Sequence, residues 1–191
     1  YGDSAISPKN TICMSEFNRF LAFNDKTGLL KVEAGVLLSE VIKIFLPRGW
    51  FPPVTPGTKF VSIGGMVASD VHGKNHLESG TFINYVKWID LVNSEGETIR
   101  CSREQNTEIF FWTFGGMGLT GIIINVAFFL KPVESAWIKQ KTLIAKNINE
   151  AIEIFENNLD RTYAAAWIDC SAKGRNLGRS LIMVGDHAKI D

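Results

Sequence analysis

Apolar positions along the chain switch between short strand-like runs and helical spacing, which predicts mixed α and β structure with no internal repeat. Leu29-Leu30-Lys31-Val32-Glu33-Ala34 predicts a strand that stops at Gly35. Leu38, Val41, Ile42, Phe45 and Leu46 then recur at helical spacing, with Ser39 near the start and Pro47 as the stop. Phe51-Pro52-Pro53-Val54-Thr55-Pro56-Gly57 can be neither regular helix nor central strand, so an ordered loop is expected. Residues 85–92 predict a strand, and Asn93-Ser94-Glu95-Gly96-Glu97 turns it into a second one over 98–102. A short helix over 106–113 follows, and the aromatic run at 110–114 reads as core. Residues 122–130 are almost unbroken apolar, the pattern of a strand buried on both faces.

Pro132 marks a change of character. Beyond it the pattern reads strand (137–144), helix (149–159), strand (163–169), a basic glycine-containing connection (174–178) and a last strand (180–184). Asn147-Ile148-Asn149-Glu150 offers the helix cap, and Ile148, Ile152 and Phe155 its apolar face. These features divide the chain into residues 1–133 and 137–191, the second part too short to close a core comfortably. The chain opens on Tyr1, with no initiator Met and no signal-peptide pattern. It reads as a piece of a longer protein, with the first unit shortened at its N-terminus and the second at its C-terminus. Unpaired strand edges and an uncovered apolar face are expected in the second unit, and with them self-association between copies.

Composition narrows the function classes. With 46% hydrophobic residues in 191, the chain can build a real core, and it lacks the signature of disorder. Its 20 Lys and Arg balance 20 Asp and Glu, so no broad positive field is available for nucleic acid. A transmembrane span needs about 20 apolar residues. The best run, 121–130, falls well short and contains Asn125. A cytoplasmic or membrane-peripheral location is therefore expected. Cys13, Cys101 and Cys170 are odd in number and scattered, which argues against a disulfide framework and against a structural zinc site.

Three glycine-bearing segments carry the candidate chemistry. They are Tyr1-Gly2-Asp3; Pro56-Gly57-Thr58 with the stretch 62–76, Ser-Ile-Gly-Gly-Met-Val-Ala-Ser-Asp-Val-His-Gly-Lys-Asn-His; and Gly115-Gly116-Met117-Gly118-Leu119-Thr120-Gly121-Ile122-Ile123. Glycines in such strips let backbone N–H groups approach phosphate oxygens closely. None of the three is a dinucleotide-binding or P-loop signature, and each taken alone is equally a tight turn. Three of them in one short unit point to a long anionic ligand lying across it.

Taken in order, these segments resemble the FAD-binding domain of the vanillyl-alcohol oxidase and p-cresol methylhydroxylase superfamily. Within it, His-Gly-Lys-Asn-His is most similar to the branch that oxidises the ribose of a polyprenyl-phospho sugar. The resemblance implies an α+β fold: a two-subdomain FAD-binding unit over 1–133, then an incomplete α+β substrate domain over 137–191. It implies that Tyr1, Gly2 and Asp3 end a loop around the FAD pyrophosphate. Gly57 and Thr58, with Ser62, Ile63, Gly64 and Gly65, would form a second phosphate-side strip. Ser69, Asp70, Val71 and His72 would follow the ribityl chain and isoalloxazine, and Gly121 and Ile123 the adenine end. Some relatives attach FAD through a histidine in the first loop; the chain carries none there, so non-covalent FAD is expected.

The resemblance further implies oxidation of a sugar-alcohol carbon to a ketone by hydride transfer to flavin N5, with the base outside this chain. His72 is the imidazole placed to assist, Lys74 the cation for an anionic substrate group, and Gly73 and Trp167 candidates for the substrate pocket. The implied partners are a sugar substrate, lipid-linked in that branch, and a reductase completing an epimerisation. The rivals are an alditol or aldonolactone oxidase on the same fold, and a flavin-binding module without turnover. Single residues have plainer readings too. His72 and His76 share a four-residue spacing that could suit a metal, but Gly73 between them argues against a helix face. Trp167 and Tyr163 read first as core aromatics. Asp90, inside an apolar strand, reads as a buried carboxylate with structural hydrogen-bond partners.

Overall fold

A computed structural model describes residues 11–190, so Tyr1, Gly2 and Asp3 lie outside the described residues. Strands β1 (Phe20–Asn24) and β2 (Leu29–Glu33) form a hairpin, followed by helix α1 (Leu38–Phe45), a 3-10 turn and the two-residue strand β3 (Trp50–Phe51). Two short helices come next, α2 (Ile63–Ala68) and α3 (His76–Ser79), then the hairpin of β4 (Val86–Val92) and β5 (Thr98–Ser102). Helix α4 (Thr107–Thr113), β6 (Ile122–Phe129) and β7 (Lys131–Pro132) complete the first part. Beyond Pro132 come β8 (Ile138–Ala145), α5 (Ile148–Glu156), β9 (Tyr163–Ile168) and β10 (Ser180–His187).

The apolar run at 122–130 takes the middle of a five-stranded antiparallel sheet, ordered β1-β2-β6-β4-β5. One hydrophobic core lies against this sheet, with Val32, Ile63, Met66, Phe82, Ile89, Phe110, Val126 and Phe128 fully buried. Asp90 on β4 is buried as well, and its partners are in place. Arg100 across the hairpin donates Nε and Nη2 at 2.8 and 3.1 Å, and Asn125 on β6 donates at 3.1 Å. The Arg100 guanidinium also stacks 3.8 Å over the Trp88 ring. A second antiparallel sheet, β8-β10-β9, carries α5 on one face around Ala145, Ala151, Ile182 and Val184.

Several elements differ from the sequence expectation. Helix α1 starts at Leu38 with Glu40 accepting from the Leu37 N–H at 2.9 Å, so Ser39 is not its cap. Phe51 leaves the expected loop to pair with Lys131 in the β3–β7 ladder. In the aromatic run at 110–114, Phe110 and Phe114 are core, but Phe111 and Trp112 are exposed, because one helix face alone meets the sheet. On α5, Asn147 caps Glu150 at 3.0 Å as expected. The buried face centres on Ala151, with Ile154 and Phe155, whereas Ile148 and Ile152 are exposed. Trp167 is not a core aromatic: 77% of its surface is exposed.

Helix α2 is stitched to the strand end before α1 by backbone groups alone. Ile63 N–H donates to Val36 O at 2.8 Å, Gly64 N–H to Ala34 O at 2.7 Å, and Ala34 N–H to Ile124 O at 2.9 Å. A Cβ on Gly64 would sit 2.8 Å from the Ala34 Cβ, so a side chain there would push the helix off the sheet. Gly64→Ala should therefore cost about 1–3 kcal/mol of overpacking. Gly57 has no protein atom near its Cβ direction, and Gly57→Ala should stay within about 0.5 kcal/mol. Urea titrations of the two variants check the contrast.

Candidate functional site

The second glycine segment opens on a cap: Ser62 Oγ accepts from the Gly65 N–H at 3.1 Å. After α2 the chain turns sharply at Asp70, whose φ is +39° and whose carboxylate accepts from the Ile83 N–H at 3.0 Å. Val71 O accepts from Phe82 N–H at 3.0 Å, and His72 bridges to Thr81, so the strip 69–73 is braced from behind by 81–83. Asn75 is buried and donates to Pro53 O at 2.5 Å and Ser79 Oγ at 2.9 Å, which fixes the loop beyond Lys74.

The third segment is brought against the second. Met117 N–H donates to Ala68 O at 2.9 Å, and Gly115 N–H to Val67 O at 3.3 Å. Met117 has φ +51°, so two of the three described non-glycine residues with positive φ, Asp70 and Met117, flank this meeting point. Strained backbone held by its surroundings is a marker of functional loops. Gly115 and Met117 were not singled out within their segment; the signal that finds them is this positive φ, which sequence does not display.

The predicted residues sort by exposure. Gly57, Gly65, Ser69, His72 and Lys74 are exposed, and Thr58, Ser62, Gly64, Asp70, Val71, Gly73 and Gly121 are half-buried. Ile63 and Ile123 point into the core, leaving only their backbones for any ligand. Glycine is required by packing at Gly73, which meets Thr55 O, and at Gly121, which meets Val92 O. Gly57 has no such reason, and Gly65 meets only its own cap, Ser62 Oγ, at 3.1 Å. Gly57 therefore offers open, exposed backbone that a phosphate group could approach closely, whereas the Ile63, Gly64 and Gly65 N–H groups already donate to Val36 O, Ala34 O and Ser62 Oγ. The His72 and His76 rings lie edge to face at 5.3 Å, and among the described residues no cluster of three His, Cys, Asp or Glu could hold a metal.

Lys74 joins this strip to the second sheet, its carbonyl accepting from the Ala164 N–H at 2.8 Å. Lys74 borders a small cavity with Tyr163, Ala165 and Met183. Trp167 lies farther along the sheet, in a different cavity, so Gly73 and Trp167 do not share one pocket.

Residues 2–102 match the profile described as FAD binding domain. The chain belongs to this FAD-binding domain family. FAD is the family's cofactor, and the open glycine strip suits its phosphates. Over its whole length the chain is 35% identical to decaprenylphosphoryl-β-D-ribose oxidase of Mycolicibacterium smegmatis, covering 42% of that protein. It is 32% identical to an uncharacterised protein of Streptomyces coelicolor over 80% of the chain and 41% of that protein. It is 28% identical to cytokinin dehydrogenase 2 of Arabidopsis thaliana over 72% of the chain and 28% of that protein. The FAD-binding chain thus spans less than half the length of these curated relatives.

A cluster of titratable groups, not foreseen from sequence, sits where the β3–β7 ladder meets the second sheet. Tyr163 Oη is 2.9 Å from His187 Nε2, Lys131 Nζ lies 5.2 Å from the centre of the Tyr163 ring, and Phe51 meets the His187 ring edge-on at 5.2 Å. Burial pushes the Tyr163 hydroxyl up to about 12 and the Lys131 ammonium down. Burial, then the Lys131 charge, lowers His187 below its ordinary 6.5, with Asp186 opposing. The unfolded chain therefore takes up this proton first, so His187 removes stability as pH falls below 6.5. Melting temperature should drop more between pH 7.5 and 5.5 in the parent chain than in His187→Gln; equal drops would refute the assignment.

Proposed function

We propose that the whole protein is an FAD-dependent oxidoreductase that oxidises an alcohol carbon of a sugar-like substrate to a ketone. FAD, held non-covalently, would supply the hydride acceptor at its N5 atom. The observation that carries this reading is a glycine-bearing segment with open, exposed backbone at Gly57. It runs into His72 and into the Lys74 ammonium, which has no side-chain partner among the described residues.

In this reading the backbone at Gly57–Thr58 receives a phosphate, Ser62–Gly65 lie beside it with their N–H groups at 63–65 already bonded within the protein, and Gly121 and Ile123 serve the adenine end through their backbones. Tyr1, Gly2 and Asp3 would add the first phosphate loop. Ser69 to His72, braced by Thr81 to Ile83, orient the flavin side of the site. His72 is exposed and free to exchange a proton with substrate, and Lys74 holds an anionic substrate group. The substrate class that fits is a polyprenyl-phospho-ribose-like compound, as the name of the Mycolicibacterium relative suggests. Residues 1–133 then bind cofactor, and 137–191 begin the substrate domain. A reductase partner would complete an epimerisation, and the location would be cytoplasmic or peripheral to the membrane. Among the described residues no helix is long and apolar enough to cross one.

Two experiments test this. Gly57→Val should weaken FAD binding by about tenfold or more through its Cβ branch, with the urea midpoint unchanged; equal affinity in a fluorescence titration would remove the strip from the site. Anaerobic mixing of the whole FAD-loaded protein with polyprenyl-phospho-ribose should bleach the flavin band, with His72→Ala and Lys74→Ala slowing it by about tenfold or more. Unchanged kcat and KM in both variants would take these side chains out of the mechanism.

A further inference from the structure

We propose that Asn75 is a positioning residue for the reaction: its buried side-chain amide hangs the loop carrying Gly73 and Lys74 on the main chain of the proline-rich segment 51–57. The inference rests on the reading above in giving that loop a part in turnover.

The need for such a link comes from the prolines. Pro52, Pro53 and Pro56 have no N–H to offer, so a regular ladder cannot join this segment to a neighbour, and its buried carbonyls need donors from elsewhere. Asn75 supplies one: Nδ2 donates to Pro53 O at 2.5 Å and to Ser79 Oγ at 2.9 Å. Pro53 O can only accept, so the nitrogen of the amide must be the atom that faces it. Oδ1 is then left buried with no hydrogen-bond partner among the described residues. An unpaired buried acceptor costs stability that an apolar side chain of similar size would not lose. Folding alone therefore does not call for an amide here, and such local conflicts mark positions that serve function.

The loop has little else to hold it. Up to His72 the chain is braced from behind by 81–83. Between residues 72 and 78 Asn75 alone is buried, with 1% of its surface exposed. Among the described residues, its bond to Pro53 is the side-chain hydrogen bond that ties 73–78 to a distant segment. Gly73 leaves no slack: a Cβ there would run into Thr55 O and lie 2.9 Å from Asn75 Oδ1. The neighbouring main chain follows, since Gly73 O accepts from His76 N–H at 3.1 Å and Lys74 O from Ala164 N–H at 2.8 Å. Pro52, Pro53 and Val54 are buried on their own account, so the proline segment is the fixed side of the link and the Lys74 loop the held side.

The test uses the whole FAD-loaded protein. Asn75→Asp puts a carboxyl of the same shape in place of the donor, and burial holds that carboxyl above its ordinary ~3.9. Protonated, it donates to Pro53 O and keeps the link; ionised, it repels that carbonyl and breaks it. Relative to the parent at the same pH, kcat/KM for polyprenyl-phospho-ribose should agree within about threefold near pH 5 and fall about tenfold or more at about pH 8. Segment 51–57 has no titratable side chain, and His72, Lys74, His76 and Glu78 are common to both proteins, so the ratio isolates the introduced carboxyl. FAD affinity should stay within about threefold at both pH values, because the proline segment does not move. Amide exchange at Ala164 should quicken with the kinetic loss, as Lys74 O withdraws. Gly73→Ala, which displaces the same loop by crowding Thr55 O, should show the kinetic loss and the faster exchange at both pH values. A loss in Asn75→Asp that persists at low pH, FAD affinity falling in step with turnover, or faster exchange with kcat/KM unchanged each overturns the proposal. A parent that never bleaches its flavin sinks the oxidoreductase reading instead. Exchange at Ala164 then decides the link alone: pH-dependent release in Asn75→Asp upholds it, and parent-like exchange refutes it.

Discussion

The backbone contact between Gly64 and Ala34 is the constraint from which the rest of the site follows. With no Cβ on Gly64, α2 approaches until its N–H reaches the Ala34 carbonyl at 2.7 Å, while the Ala34 N–H is tied to Ile124 on β6. Helix, chain end and central strand are thereby locked at main-chain distance, which side-chain packing could not specify as tightly. Because α2 is fixed, its C-terminal carbonyls at Val67 and Ala68 are fixed too, and these receive Gly115 and Met117. One close approach at the start of a six-residue helix thus sets where the second and third glycine segments meet.

This also separates two kinds of glycine that sequence alone presents as one. Gly64, Gly73 and Gly121 are small because protein atoms occupy the space beside them. Gly57 borders empty space, and no fold requirement accounts for it. The ligand argument is stronger for the second kind, since an unconstrained exposed glycine only adds unfolded-state entropy unless something else needs the room.

Long elements with a clear period were legible: β2, α1, the β4–β5 hairpin, β6, α5 and β10 all lie within a few residues of the pattern that predicts them. Asp90 was legible for a different reason, since a carboxylate in an apolar strand demands partners and Arg100 and Asn125 supply them. What sequence did not disclose depends on contacts between distant segments. The β3–β7 ladder pairs residues far apart in the chain, and α2 is too short and glycine-rich to show a helical period. The exposure of Ile148, Ile152 and Trp167 follows from which face of each element meets a neighbour, and periodicity cannot choose between two apolar faces.

The same limit explains the junction. Lys131 and His187 carry no sequence signal, one beside Pro132 and the other at the end of a strand. They become neighbours because β7 pairs with β3 and because Ala164 donates to Lys74, placing Tyr163 between them. That arrangement ties residues 69–74 to the second sheet through the main chain at Lys74. The burial that raises Tyr163 and lowers Lys131 and His187 is therefore set by how the second sheet sits against Lys74 and the β3–β7 ladder.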